Sequence, residues 1–315
     1  MLSRNLAYLF RPYIRRELPG WGRIYRALGI AGVDNLNPKW RDAPKRETRN
    51  KRTGHLMELD LSDDTDRETY FLGRYYDIEV QLLLDEILKE GDTCIDIGAN
   101  VGHFSLYSSH RVGRSGQVLA FEPQPDCCKK IEHKLSLNNI SNVELHNLAL
   151  GNTSGSLTLN VLGGGSIMAA IAIDPEIDTF VRESYEIPVA RGDDVFPEHL
   201  DGDVFIKIDV EGYELFALQG MTKAIDRWKP AFLLEVERRY LERAGVSVEA
   251  LFEFLLERDY SAYDVDTEYL ALGKHRLALS PIPDIESYDE IGATPDLLWL
   301  PPGDTRITPS KFFRF

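Results

Sequence analysis

The chain has 315 residues, 43% of them hydrophobic, and a formal net charge of −15 at pH 7. That length suits one α/β domain plus an appendage with a sizeable core, and the acidic balance argues against a nucleic-acid phosphate surface. No apolar run reaches the roughly 18 residues of a membrane span, and Arg4, Arg11, Arg15 and Arg16 interrupt the early apolar residues, so neither a span nor a signal peptide is expected.

Residues 1–54 carry 13 Lys or Arg against 4 Asp or Glu, a balance of +9 that leaves −24 for the remainder. Tyr8, Phe10, Tyr13, Trp21 and Tyr25 are interleaved with those cations. Such a segment suits docking on an anionic membrane or, the favoured use, wrapping its own acidic domain or a second subunit. Residues 1–69 are read as a basic, aromatic N-terminal extension with helical potential, and 70–315 as the main domain. The cysteines, Cys94 and the neighbours Cys127 and Cys128, have neither metal-type nor disulfide spacing, which fits a reducing, cytoplasmic setting.

From residue 77 onward helix and strand alternate, as in a parallel sheet with covering helices. A helix over 77–89 precedes a strand over 93–97, Thr-Cys-Ile-Asp-Ile, which runs into Gly98-Ala99-Asn100-Val101-Gly102 and a helix over 103–111. Glycines four apart let the backbone turn sharply and approach a ligand closely, and the helix start adds unpaired N–H groups there. The dinucleotide fingerprint G-x-G-x-x-G holds a pyrophosphate at such a helix start. Here the order is Asp-x-Gly-x-x-x-Gly, with Asn100 where a second glycine would admit the pyrophosphate. S-adenosylmethionine has a sulfonium, an amino-acid end and a ribose but no phosphate, so Asp96 beside the turn suits it. The bland alternative is an ordinary strand-to-helix turn.

A second strand over 117–121 ends at Glu122-Pro123, with Glu122 lying 24 positions past Gly98. An acid about 20 residues past the glycine turn bonds ribose hydroxyls in doubly wound folds. A helix over 125–138 and a strand over 143–148 follow. Residues 151–191 break the rhythm: 156–161 alternates like a hairpin strand, and the glycine run at 163–166 reads as a lid because it lacks the Lys and Ser/Thr of a P-loop. The next strand, over 203–209, places Lys207, Asp209 and, if it runs that far, Glu211 on one face. Charges at that end break the apolar run of a parallel strand, at the sheet edge where ligands bind. Structural pairing of Lys207 with a carboxylate is the bland alternative. A helix over 213–226, a strand over 231–237, a helix over 247–258, and strands over 260–265 and 296–300 complete the series. The tail at 311–315 is expected to pack.

Asp-Ile-Gly-Ala-Asn-Val-Gly at 96–102, Phe-Glu-Pro at 121–123, Asn-Leu-Ala-Leu-Gly at 147–151 and Ile-Lys-Ile-Asp-Val-Glu-Gly-Tyr-Glu at 206–214 together resemble the FkbM-type methyltransferases, from near Tyr70 to about Leu300. The resemblance implies a class I, Rossmann-like methyltransferase fold. This is a doubly wound, seven-stranded, mostly parallel sheet with helices on both faces and a terminal antiparallel hairpin. It also implies S-adenosylmethionine-dependent methylation, mostly on oxygen of sugars or natural-product hydroxyls. Carried over, Asp96, Gly98, Asn100 and Gly102, with Ala99 between them, surround the methionine part. Glu122, followed by Pro123, binds the ribose, and Asn147 and Leu148 lie against the adenine. Asp209 and Glu211 match the acidic pair beside the methyl, and Asp193-Asp194-Val195 resembles the usual lead-in to that strand.

Methyl transfer from a sulfonium is an in-line displacement, so alignment and exclusion of water supply much of the rate. A hydroxyl nucleophile needs a base. Asp209, Glu211, Glu235 and Glu237 end two adjacent strands; Asp209 or Glu211 is assigned as base or orienter, with Glu235 assisting. His103 and His146 fit loop or cofactor-site roles better than that of the base. The same carboxylates holding magnesium is a less favoured reading. So is a nicotinamide oxidoreductase, because the third glycine is absent. A catalytically silent cofactor-binding scaffold that recruits a partner through the basic N-terminus is the main alternative. The acceptor is not named by any spacing; 151–191, 264–292 and the N-terminal arm are expected to shape its pocket. Homo-oligomerisation stays open.

Overall fold

A computed structural model of the chain describes residues 4–30, 39–162, 169–170, 181–271, 274–291 and 296–307. The glycine run at 163–166 and the tail at 311–315 lie outside them. The chain divides into two compact units: Met1–Leu82 with Gly164–Ile167 and Thr267–Leu277, and Leu83–Gly163 with Met168–Asp266 and Ala278–Phe315.

The first unit holds helices α1 (Arg4–Arg15) and α2 (Trp21–Ala27), an antiparallel hairpin of β1 (Lys45–Arg49) and β2 (Leu56–Asp60), and α3 (Asp64–Leu72). Asp63 starts α3 by accepting a hydrogen bond from the Asp66 N–H, and Gly73 ends it at φ 69°, where a left-handed residue is required. Its core is aromatic. Trp40 and Phe71 are fully buried edge to face, 5.6 Å between centroids, and Tyr8 stacks on Phe71 at 6.0 Å. Arg67 is also fully buried, donating to the Ile30 and Leu61 carbonyls and pairing with Asp64. Glu17 is 1% exposed and accepts from Lys51 Nζ at 2.7 Å and Arg74 Nε at 3.0 Å. His275 Nε2 lies 2.6 Å from its other oxygen, and the Tyr269 hydroxyl donates to its carbonyl.

Helix α4 (Ile78–Ile87) leads into the second unit, built on β3 (Thr93–Ile97), α5 (His103–Val112), β4 (Gln117–Phe121), α6 (Pro125–Leu137) and β5 (Val143–His146). Strands β6 (Ala149–Leu150), β7 (Gly155–Leu162), β8 (Ala169–Ala170) and β9 (Val181–Ala190) form a separate four-stranded sheet in the order β6-β9-β7-β8. After α7 (Gly192–Val195) come β10 (Val204–Ile208), α8 (Glu214–Gly220), α9 (Thr222–Trp228), β11 (Ala231–Glu235), α10 (Arg238–Arg243) and α11 (Val248–Leu256). The chain closes with β12 (Ser261–Ala271), β13 (Lys274–Ile282), α12 (Ile285–Ile291) and β14 (Asp296–Leu300).

The main sheet runs β13-β12-β14-β11-β10-β3-β4-β5. Strands β11, β10, β3, β4 and β5 are parallel, and β14 joins antiparallel to both β11 and β12. The sheet is α/β, doubly wound and mostly parallel, as expected, but with eight strands among the described residues rather than seven. The extra strand is β13, which opens on Lys274-His275-Arg276 and buries three consecutive residues, Leu277 to Leu279, so it shows no strict alternation.

Alternate residues point to opposite faces. Ile95, Ile97, Leu119, Phe121, Ile206, Ile208, Phe232 and Leu234 pack with Ala217 and Leu218 of α8, Ile225 of α9 and Leu251 and Leu255 of α11 in one core. Ala120 packs on the other face with Ile131 of α6 and with Ala99. Both faces are therefore covered, which is why β3 is buried along its whole length.

Several elements depart from the sequence reading: the strand expected over 260–265 runs on to Ala271, and the one expected over 143–148 ends at His146. The helix expected over 213–226 is two helices, broken at Gly220, where a Cβ would lie 2.0 Å from the Gly151 carbonyl oxygen. The strand expected to reach 237 stops at Glu235, because Glu237 turns the chain and caps α10 by accepting from the Arg239 N–H. The insert holds the ten-residue β9, antiparallel to β7 from Gly155↔Val189 to Leu162↔Val181 with a bulge at the far end.

Candidate active site

Parallel β3 and β10 lie side by side, and the chain leaves β3 toward β4 on the other flank, so the order reverses between them. That reversal opens a crevice at the carboxyl ends of the strands, the usual ligand position in open α/β sheets.

Asp96 is level with Lys207 on β10 and Ala120 on β4, and is fully buried. Ser105 of α5 donates to Asp96 Oδ2, while Oδ1 has no hydrogen-bond partner. Burial raises its proton affinity, with the Lys207 charge opposing. The loop after β3 is held by its backbone: Gly98 N–H and Ala99 N–H both donate to the Phe121 carbonyl, at 2.9 and 3.0 Å. Gly98 has φ 83°, and a Cβ there would fall 1.9 Å from the Asp209 carbonyl oxygen, so no other residue fits. Gly102, φ 82°, begins α5, and its missing Cβ makes room for Ile131.

Glu122 is 6% exposed at the end of β4. Its Oε2 accepts from the Asn100 N–H at 2.7 Å and its Oε1 from the Gln124 N–H at 2.8 Å. Burial pushes the carboxyl up to about 7 against those two hydrogen bonds, with Asp96 and Asp209 adding to the rise. The Asn147 side chain braces the same corner, donating to the Glu122 and Pro123 carbonyls, each at 2.9 Å. Leu148 packs against the main core. His146 stacks on Phe121, 4.7 Å between centroids, and pairs with Glu144.

At the end of β10, Lys207 Nζ lies 2.7 Å from Asp209 Oδ2. Burial would raise the Asp209 carboxyl, but Lys207 and a hydrogen bond with Glu235 bring it below its ordinary value. Glu235 is driven the other way, by burial and by the Asp209 charge, and so keeps its proton at neutral pH. Continuing the β10–β11 register one step places these two carboxyls level with each other. Glu211 has φ 55°, an unusual conformation for a residue with a side chain, and its Oε2 is buried without a partner. Burial, then the Asp209 charge, pushes it up to about 7, with Arg243 opposing.

The structure thus brings Asp96, Gly98, Asn100, Glu122 and Asp209 to one crevice, with Glu211 and Glu235 beside Asp209. Glu237 stands apart in an ion pair with Arg239. Sequence reasoning missed Glu214, 1% exposed, whose Oε1 accepts from the Val210 and Gly212 N–H groups and shapes the 209–212 turn. It also missed Arg243 and Tyr240 on α10. Among the described residues, no group of three or more His, Cys, Asp or Glu is arranged to hold a metal ion, and no helix is long and apolar enough to cross a membrane.

The sequence model described as Methyltransferase FkbM domain matches residues 96–262, more than half of the chain. The chain is 30% identical over 143 residues to Methyltransferase 1 of Beauveria bassiana, covering 40% of this chain and 57% of that protein. It is 25% identical over 231 residues to Methyltransferase sdnD of Sordaria araneosa, 59% of this chain and 88% of that one. Against Hexuronic acid methyltransferase AglP of Haloferax volcanii it is 28% identical over 150 residues, 46% of this chain and 56% of the relative. The match therefore spans little more than half the length of the first and third of these proteins.

Proposed function

The chain belongs to the FkbM methyltransferase family, and from that premise we propose that it transfers the methyl group of S-adenosylmethionine to a hydroxyl oxygen of a sugar or similar metabolite. The observation that carries this reading is the set of acids, Asp96, Glu122 and Asp209, at the carboxyl ends of the adjacent parallel strands β3, β4 and β10. The relative named for a hexuronic acid supports the sugar class.

The residues suit the cofactor. Asp96 Oδ1 is a buried acceptor without a donor, the counterpart an ammonium group needs. The Gly98–Gly102 loop presents little side chain beside it, so Gly98, Ala99, Asn100 and Gly102 are assigned to the amino-acid end. The Glu122 oxygens each accept one N–H and retain lone pairs for ribose hydroxyls. Pro123, Asn147 and Leu148 form the corner assigned to the adenine.

Bound there, S-adenosylmethionine supplies a methyl on a sulfonium. Asp209, ionised beside Lys207 and hydrogen-bonded to protonated Glu235, orients the acceptor. Glu211 takes the hydroxyl proton as the oxygen attacks. Its carboxyl, pushed up to about 7, both ionises and accepts a proton near neutral pH. Closing the crevice against water aligns the displacement.

The test is calorimetric titration of S-adenosylmethionine and S-adenosylhomocysteine into wild type and Glu122→Ala, followed by a screen of neutral sugars, uronic acids and polyols with isotope-labelled methyl. Glu122→Ala should weaken binding at least tenfold, about 1.4 kcal/mol, and the product should gain one labelled methyl on oxygen. No binding to folded wild type removes the methyltransferase reading. Binding without turnover across the whole panel favours the silent scaffold.

A further inference from the structure

Helix α10 was not expected from the sequence, yet it lies against the turn that carries the acids of the proposed reaction. Glu211 and Gly212 both have positive φ, 55° and 104°. Two consecutive left-handed residues, one bearing a side chain, cost free energy and persist only where neighbours enforce them. The neighbours are on α10. A Cβ on Gly212 would lie 2.2 Å from the Tyr240 carbonyl oxygen, so the backbones of turn and helix meet directly. Arg243 Nη2 donates to the Glu211 carbonyl at 3.2 Å, and its guanidinium sits 5.0 Å from the Tyr240 ring centroid.

Each of the two residues also holds one buried polar atom without a partner: Oε2 of Glu211 and Nε of Arg243. A guanidinium locked in a two-pronged ion pair would fill the carboxylate and remove it as a proton acceptor. Here the guanidinium grips the main chain instead, close enough to act on the carboxylate by its charge and leaving one carboxylate oxygen unengaged. Asp209 beyond β10 and Glu214 of α8 face the same carboxyl and oppose its ionisation, while Glu235 of β11 faces it as a protonated, uncharged group. Tyr240 and Arg243 of α10 favour it.

We propose that Arg243 is a positioning residue for methyl transfer: it holds the left-handed turn through the Glu211 carbonyl and keeps the Glu211 carboxylate available as the base. This rests on the proposed reaction and on Glu211 as its base, and the experiment separates the layers. In the full chain, kcat and kcat/KM are followed against pH with an accepted hydroxyl substrate for wild type, Arg243→Gln, Arg243→Lys and Glu211→Gln, with S-adenosylhomocysteine affinity and thermal unfolding measured alongside.

With the cation gone, Glu211 binds its proton more tightly. In Arg243→Gln the acidic limb of the pH profile should therefore move up by about one unit, roughly a tenfold loss at pH 6. S-adenosylhomocysteine affinity should stay within about twofold, since Arg243 touches none of the cofactor residues. Arg243→Lys keeps the charge but not the planar grip, so the limb stays near wild type while kcat falls. A limb unmoved in folded Arg243→Gln overturns the proposal. If that variant does not fold, unchanged kcat in Arg243→Lys overturns it instead. Full activity in Glu211→Gln dismisses Glu211 as the base, and absence of turnover in wild type dismisses the reaction itself.

Discussion

Two clusters of buried carboxylates, one in each unit, are treated in opposite ways. In the N-terminal unit Glu17 meets Lys51, Arg74 and His275. Burial would raise its proton affinity, but His275, Arg74 and Lys51 together hold the carboxyl far below the ordinary range. In the sheet unit Asp209, Glu211, Glu214 and Glu235 crowd one another, with Lys207 and Arg243 as the nearby cations, and all but Asp209 are driven upward. A compensated carboxylate is a strut. An uncompensated group at the mouth of a crevice stores proton affinity that chemistry uses. The contrast adds what burial alone does not give, since Glu17 and Glu214 are equally hidden yet shifted in opposite directions.

The sharpest way to break this contrast is Glu17→Ala. It leaves a buried guanidinium and an ammonium without their anion, so the N-terminal unit should lose about 3–5 kcal/mol in urea unfolding. A loss under 1 kcal/mol would mean the cations find water instead, and Glu17 would not be a strut.

A middle-sized effect follows from pH. Glu122 is pushed from 4.5 up to about 7 on folding. A carboxyl that holds its proton more tightly in the folded state adds stability below its unfolded value and loses it as pH rises through the folded one. The sheet unit should therefore weaken between about pH 4.5 and 7, and Glu122→Gln should remove about 3 kcal/mol of that loss. Glu17 has the opposite sign: its contribution is present above 4.5 and lost as pH falls below it. Denaturation curves at several pH values test both, and a sheet unit that strengthens from pH 5 to 7 would contradict the upward shift. The smallest effect belongs to Glu235→Gln. The carboxyl already carries a proton, so an amide donates to Asp209 in its place, and stability at pH 7 should change by less than about 0.5 kcal/mol. A larger drop would show Glu235 ionised.

The parallel core was legible because its strands are apolar runs bounded by glycine, and the crevice because Asp96, Glu122 and Asp209 interrupt those runs at their ends. What escaped is what long-range packing decides. Six-residue α10 follows Glu-Val-Glu, which reads as more strand until Glu237 is seen to cap a helix. Strand β9 carries charges and Pro188, which disguise it, yet Pro188 pairs with Ser156 near its end. Glu17 has partners 34, 57 and 258 positions away, so no local pattern announces it.

The four-stranded insert begins and ends at neighbouring points. Ala149 of β6 pairs with Val189 of β9, and Leu150 with Ala190. A segment whose two ends are clasped side by side is a cassette: its length and composition can drift, or be exchanged for another, without shifting the register of the sheet beneath. In this architecture heritable variety can gather in one replaceable loop of chain while the glycine seam between residues 98 and 209 stays immovable.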